Sequence, residues 1–312
     1  MYFSERIDDS SYVNIKLLYK LCFNIITSTS DLNKKYNTAC FGLKNVGFLA
    51  WSEKNEIAAY YGVFPITLTY NARDFLIAQS GDTMTAPNHQ KKGLFIRLAT
   101  ETYSLAEQLG VHLIFGFPNN NSYPGFKNKL DWKFTGFMQK YTVRIATVPF
   151  CELSSKIRIL LPLYHKYVKW RLKKYCVAVD EANTGLFNCS KTGGMIKRDS
   201  NFFNYKLAKG DCYLIHINEF FILLKTHDHL FIGDIAKFND EDGKKLPETL
   251  KQLGKMLGSR KVIINLSKNH WLNNVINKSY KPTEGLPIGF KVINNEINPE
   301  EIQFTGADFD TF

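Results

Sequence analysis

The chain has no C-x-x-C pair and no cysteine cluster: six cysteines, at 22, 40, 151, 176, 189 and 212, are scattered through 312 residues. That spacing excludes a zinc ribbon and a dense disulfide framework, and it implies a reducing compartment. No apolar run approaches the roughly 20 residues that cross a bilayer. Met1-Tyr2-Phe3-Ser4-Glu5-Arg6 lacks the basic-then-apolar order of a signal peptide. A cytoplasmic protein without a membrane span is the expectation. Acidic residues are in deficit, 29 against 40 Lys and Arg, for a formal net charge of +11. Such a balance suits nucleic acid, a membrane surface or a phosphorylated small molecule, and equally a solvated basic surface with no partner. With no run of five basic residues and no zinc-finger, RNP-type or basic-zipper pattern, nucleic acid is set aside as a partner. His216, His227 and His229 come without a carboxylate pattern, so no metal is expected. Nothing in the sequence fixes the oligomeric state.

Hydrophobic residues make up 45% of the chain and charged residues 22%, a folded composition long enough for two domains or one large one. A helix is expected with Val13, Leu17, Leu18, Leu21 and Ile25 on one face, then a short one over Asp31–Tyr36. Strands follow at Val46–Trp51, Glu56–Val63 and Phe75–Thr85, with Pro65–Tyr70 a further extended piece. Leu94, Leu98, Leu105 and Leu109 give the next helix its apolar stripe, and Gly110 ends it. Val111–Phe117 reads as a buried strand, Asn119–Leu130 as a turn and short helix, and Lys133–Val148 as a long closing strand. Cys151–Tyr175 is a basic amphipathic helix suited to connecting two halves, or to a membrane surface were it not for Pro162. Asp180–Ser200 is a loop-rich stretch with no assigned element. Thereafter strands, a helix ending at Gly258, an apolar strand and an Asn-bearing turn repeat the order around Gly110, 148 residues earlier. This suggests a duplication. The domains expected are 1–150, a connector over 151–210, and a second half over 211–312.

Between strand Phe75–Thr85 and the next helix lies Gln90-Lys91-Lys92-Gly93-Leu94-Phe95. Helix-start N–H groups lack intrahelical partners and carry partial positive charge, so a strand feeding a helix through a basic loop is a place for a phosphate. The second half has Asn239-Asp240-Glu241-Asp242-Gly243 there, which would repel one.

With these elements in place, the first half resembles the GNAT superfamily of acyl-CoA-dependent N-acyltransferases. The loop from Gln90 matches the family's Q/R-x-x-G-x-G/A, and Asn119 and Ser122 match the turn after the next strand. The resemblance covers residues 45–147, and the duplicated order is similar to bipartite members that acylate sugar nucleotides. It implies an α/β (α+β mixed-sheet) fold of two GNAT-like halves, each a twisted mixed sheet flanked by helices, only the first with a CoA loop. The degenerate second half would then bind the acceptor. Acetyl-CoA or another acyl-CoA is the implied co-substrate, and a nucleotide-linked amino sugar the implied amine acceptor. Backbone N–H groups of Lys92, Gly93, Leu94 and Phe95 would hold the pyrophosphate, Lys91 and Lys92 would add charge, Gln90 would contact the cofactor or shape the loop, and the pantetheine arm would lie on the backbone of Met84 and Thr85. Asn119 and Ser122 would contact that arm or cap the following helix.

Asp82 is the candidate base, with a turn cap as its equal alternative. Phe126 stands where many relatives have an acidic Tyr, so either Tyr123 protonates the thiolate or no acid is needed. His112 reads as a packed histidine. An aminoacyl transferase of cell-wall synthesis and a non-catalytic CoA sensor or scaffold are the alternative functions.

Overall fold

The computed structural model describes residues 1–182, 184–188 and 193–312, so part of the loop-rich stretch Asp180–Ser200 lies outside the described residues. In chain order the first elements are β1 (Tyr2–Arg6), α1 (Tyr12–Phe23), α2 (Thr29–Tyr36), β2 (Val46–Ser52), β3 (Ile57–Tyr70), β4 (Arg73–Thr85), α3 (Leu94–Gln108), β5 (Leu113–Gly116) and α4 (Tyr123–Lys129). Next come β6 (Lys133–Arg144), α5 (Phe150–Lys156), α6 (Leu161–Leu172), β7 (Gly194–Ile196), α7 (Ser200–Leu207), β8 (Cys212–Ile217), β9 (Phe220–Thr226) and β10 (Leu230–Ile235). The chain closes with α8 (Asp240–Gly243), α9 (Leu246–Leu257), β11 (Lys261–Leu266), α10 (Asn273–Ile276), β12 (Thr283–Val292) and β13 (Ile302–Gln303). It divides into two compact units: Met1–Gly136 with Leu286–Glu300, and Phe137–Gly285 with Glu301–Phe312. The first boundary thus falls at 136, against the 150 read from sequence, and a late segment returns to the first unit.

In the first unit β1, β2, β3 and β4 pair antiparallel in that order, β5 pairs parallel to β4, and β12 antiparallel to β5. Strand β3 is buried on both faces. Its Tyr61 and Val63 pack with Leu94, Leu98, Leu105 and Ala106 of α3, and its Tyr60 and Phe64 pack with Ile15 and Leu18 of α1 and Leu32 and Tyr36 of α2. Alternate side chains therefore build one core on each side of the strand. Each fully buried leucine here contributes about 1.5–3 kcal/mol. The expected break at Pro65 is absent: β3 runs through it, with Pro65 opposite Ala78 of β4. Pairing with β2 ends at Val63, so Pro65 takes no part in that ladder.

The second unit repeats the pattern. Strands β8, β9 and β10 pair antiparallel, β11 lies parallel to β10, and β6 antiparallel to β11. Helix α9 stands between β10 and β11 as α3 stands between β4 and β5, burying Leu246, Leu250, Leu253 and Leu257 with Tyr164, Val168 and Leu172 of α6. The closing strands are exchanged. β6 follows β5 in sequence but pairs with β11, while β12 follows β11 but its end pairs with β5. Lys133–Val148 is thus not the closing strand of the first half, as its position suggested. The helix expected over Cys151–Tyr175 is also two, because the chain turns at 157–160 and Pro162 occupies the first turn of α6, where its missing N–H costs nothing.

Candidate active site

β4 and β5 pair, among the described residues, only through Ala78–Ile114 and Gln79–Phe115. Beyond Gln79 β4 keeps its β3 partner alone, and its other edge is free to pair. On that stretch a β-bulge sets two residues, Asp82 and Thr83, against Tyr61, between the pairs Gly62–Gly81 and Tyr60–Met84. Asp82, the first of the two, takes the left-handed conformation of a G1-type bulge, φ 54°.

After Thr85 the amide of Ala86 bonds to the Ala58 carbonyl at 2.8 Å, and Pro87–His89 make a single tight turn. Lys91 (φ 60°) and Gly93 (φ 76°) are both left-handed, and α3 begins at Leu94. Left-handed residues just ahead of a helix turn backbone N–H groups into one concavity, a nest that takes an anion. A Cβ placed on Gly93 would meet nothing within 4 Å, so it borders open space. Thr83, Met84, Thr85 and the run His89–Phe95 line a pocket of about 500 Å³, with Cys22 and Phe23 from the end of α1, and Asn121.

Eight of the ten cofactor residues expected from sequence, Met84, Thr85, Gln90, Lys91, Lys92, Gly93, Leu94 and Phe95, are brought together there. Asn119 and Ser122 are not. Asn119 Oδ1 accepts from the amides of Asn121 and Ser122 at 3.0 and 3.2 Å, so this turn satisfies itself and presents Asn121 instead. Cys22, Phe23 and His89 also went unforeseen. Burial raises the Cys22 thiol above its ordinary pKa, opposed by a hydrogen bond from the Thr85 backbone. His89 is committed on both nitrogens, to the Tyr2 hydroxyl at 3.0 Å and to Glu56 at 3.7 Å.

The two catalytic candidates sit outside the pocket lining. Asp82 is half-buried, with Lys35 Nζ 2.6 Å from Oδ1 and the Tyr36 hydroxyl donating to Oδ2 at 3.0 Å. Tyr123 packs its ring on Phe134 with centroids 4.5 Å apart. Phe126 is buried against Trp132 (4.4 Å), Phe95 (5.2 Å) and Tyr61 (6.4 Å). The Phe95 ring therefore turns toward an aromatic core rather than closing the pocket. His112 packs edge-on to Phe75, and His216 stacks on Phe221. Among the described residues no group of His, Cys, Asp or Glu could hold a metal ion, and no helix is long and apolar enough to cross a membrane.

Residues 5–135 match the family model described as acetyltransferase (GNAT) domain. The fold is similar to a GCN5-related N-acetyltransferase from Kribbella flavida, with TM-score 0.60 and 10% identity over 94% of this chain and 71% of that one. It is also similar to a GCN5-related N-acetyltransferase from Anabaena variabilis, with TM-score 0.58 and 12% identity over 94% and 73%. Comparison with curated protein sequences gives no match. Residues 5–135, within the first unit, are therefore similar to a GNAT acetyltransferase domain, and the fold is of the GNAT-type mixed α/β kind. By class it is an acyl-CoA-dependent acyltransferase, with acetyl-CoA or another acyl-CoA as co-substrate.

Proposed function

We propose that the pocket between β4 and the start of α3 binds acyl-CoA, and that the protein passes the acyl group to the amine of a nucleotide-linked amino sugar by direct attack in a ternary complex. The observation that carries the first part is the convergence of the left-handed Lys91 and Gly93, the α3 start and the unpaired edge of β4 on one pocket. Backbone N–H groups of Lys92, Gly93, Leu94 and Phe95 hold the pyrophosphate, with Lys91 and Lys92 adding charge. The pantetheine arm pairs with Met84 and Thr85 as an added strand, which sets the thioester beside the bulge. A backbone N–H at the bulge supports the developing oxyanion. Fixing amine and thioester together is worth up to about 7–11 kcal/mol of barrier.

Asp82, bound to Lys35 and Tyr36, is assigned as the anchor of the bulge, and the amine reacts as its neutral form. The departing thiolate, of ordinary pKa about 8.5, needs no donor, so Tyr123 is assigned no proton. Supporting the acceptor are the net charge of +11 and a pocket of about 340 Å³ in the second unit, where Phe231, Phe309 and Phe312 beside His227 suit a nucleobase. That unit is assigned to acceptor binding and not to CoA, since Glu241 and Asp242 occupy the place of the lysine loop.

Calorimetry with acetyl-CoA tests the co-substrate, and no detectable binding would remove it. A thiol-release assay across amino sugar nucleotides, peptides and polyamines tests the acceptor. Turnover on peptides or polyamines alone would replace it.

A further inference from the structure

The segment from α5 through α6, within the second unit, carries two properties that the acyl-transfer chemistry leaves unused. Tyr164, Val168 and Leu172 face the core, one turn apart on α6. On the opposite side Leu163 is 58% exposed and Trp170 67% exposed, two turns apart on one stripe, and Ile159 just ahead of the helix is 81% exposed. A buried stripe satisfies the helix's packing, so a second stripe of large apolar side chains in water is stabilised only by a partner. Around it Lys156, Lys166, Lys169, Lys173 and Lys174 are exposed and form no ion pair among the described residues. No Asp or Glu occurs between Glu152 and Asp180.

We infer that α5 and α6 form a docking surface for an anionic lipid membrane, lying in the plane of the interface. The charge decides against a second copy of this chain, since two such faces would repel each other. A nucleic acid would meet the lysines but leave Ile159, Leu163 and Trp170 in water. A bilayer surface with anionic headgroups takes both: the lysines sit at phosphate level while the apolar stripe enters the acyl boundary and Trp170 holds the headgroup depth. Pro162, which interrupts the segment, is accommodated because it falls in the first turn of α6.

The test is sedimentation of the full chain with vesicles of phosphatidylcholine alone and of phosphatidylcholine doped with phosphatidylglycerol. The doped vesicles should bind the protein strongly, the neutral ones far less, and added salt should weaken the binding. Lys166→Gln/Lys169→Gln/Lys173→Gln should lower the partition coefficient about 100-fold, at about fivefold per lysine. Leu163→Ser/Trp170→Ser should lower it as well, and should abolish any vesicle-induced blue shift of tryptophan emission. Both variants alter exposed positions, so their thermal midpoints should match the parent's. Absence of binding, binding indifferent to phosphatidylglycerol, or binding retained in either variant would overturn the inference, and so would preference for a DNA oligonucleotide over the doped vesicles.

Discussion

Lys35 Nζ lies 2.6 Å from Oδ1 of Asp82, with the two side chains only 16% and 9% exposed, and this pair joins α2 to the bulge of β4. Removing one member leaves the other charged and poorly solvated, which costs about 3 kcal/mol. Lys35→Met should therefore lower stability by about that amount in urea titrations. Lys35→Met/Asp82→Asn should recover much of it, because the stranded charge is gone. The same residues separate an anchor from a base. Asp82→Asn should keep the shape of the rate–pH profile, with the rate still rising toward the pKa of the amine. A loss of kcat beyond about 100-fold with a flattened profile would restore the base.

Gly93 holds φ 76° at the start of α3 and borders open pocket. An L-residue there costs about 1–2 kcal/mol in backbone strain, and its side chain would stand where the pyrophosphate is proposed to lie. Gly93→Val should fold with a modestly lower melting temperature and bind acetyl-CoA at least tenfold more weakly. Lys91→Ala should weaken binding less and reduce its salt dependence. Unchanged affinity in Gly93→Val, read by calorimetry, would take the loop out of the site.

The elements around the pocket were legible because their signals are local. Apolar periodicity marks β4 and α3, and the loop between them combines a glycine with two lysines. The exchange of β6 and β12 was not legible, since either strand has the alternation to close either sheet and only tertiary pairing chooses. Asp82 looked available because its partner Lys35 is 47 residues away in sequence. The Asn119 turn was found, but which of its side chains faces the pocket depends on the Asx turn that consumes Asn119 and frees Asn121. Cys22 and Phe23 enter the pocket only because α1 packs beside β4, which no motif records.

Phe126 packs its ring against Trp132, Phe95 and Tyr61. In Phe126→Tyr the added hydroxyl would enter an aromatic cluster whose polar tips are already engaged, Trp132 Nε1 donating to Tyr103 and Tyr103 bonded to Tyr61. An unsatisfied hydroxyl costs about 1–3 kcal/mol. The substitution should therefore destabilise the protein without raising kcat. A tenfold faster variant would show that a proton donor at this position reaches the leaving group.

His270 gives the second unit a pH dependence whose sign can be worked out. Its Nδ1 accepts from the Leu272 amide at 3.3 Å, so Nε2 carries the proton, buried and without a partner among the described residues. Burial first, and the nearby Arg198 charge second, hold its pKa down to about 3, against an ordinary value of 6.5. Above pH 6.5 the ring is neutral folded and unfolded, and contributes no slope. As the pH falls from 6.5 toward 3 the unfolded chain binds a proton that the folded one refuses, so stability is lost. Asp234 works in the opposite sense. Burial raises its carboxyl to about 6 despite the Arg198 ion pair, so its contribution improves as the pH falls through 6. The two partly cancel in the parent protein, and the difference from a variant isolates the histidine. Compared with the parent, His270→Asn should lose less stability between pH 7.5 and pH 5 in urea titrations, on the order of 1 kcal/mol for each pH unit of proton uptake avoided. Parallel curves for parent and variant would mean that His270 is not the buried neutral ring described here.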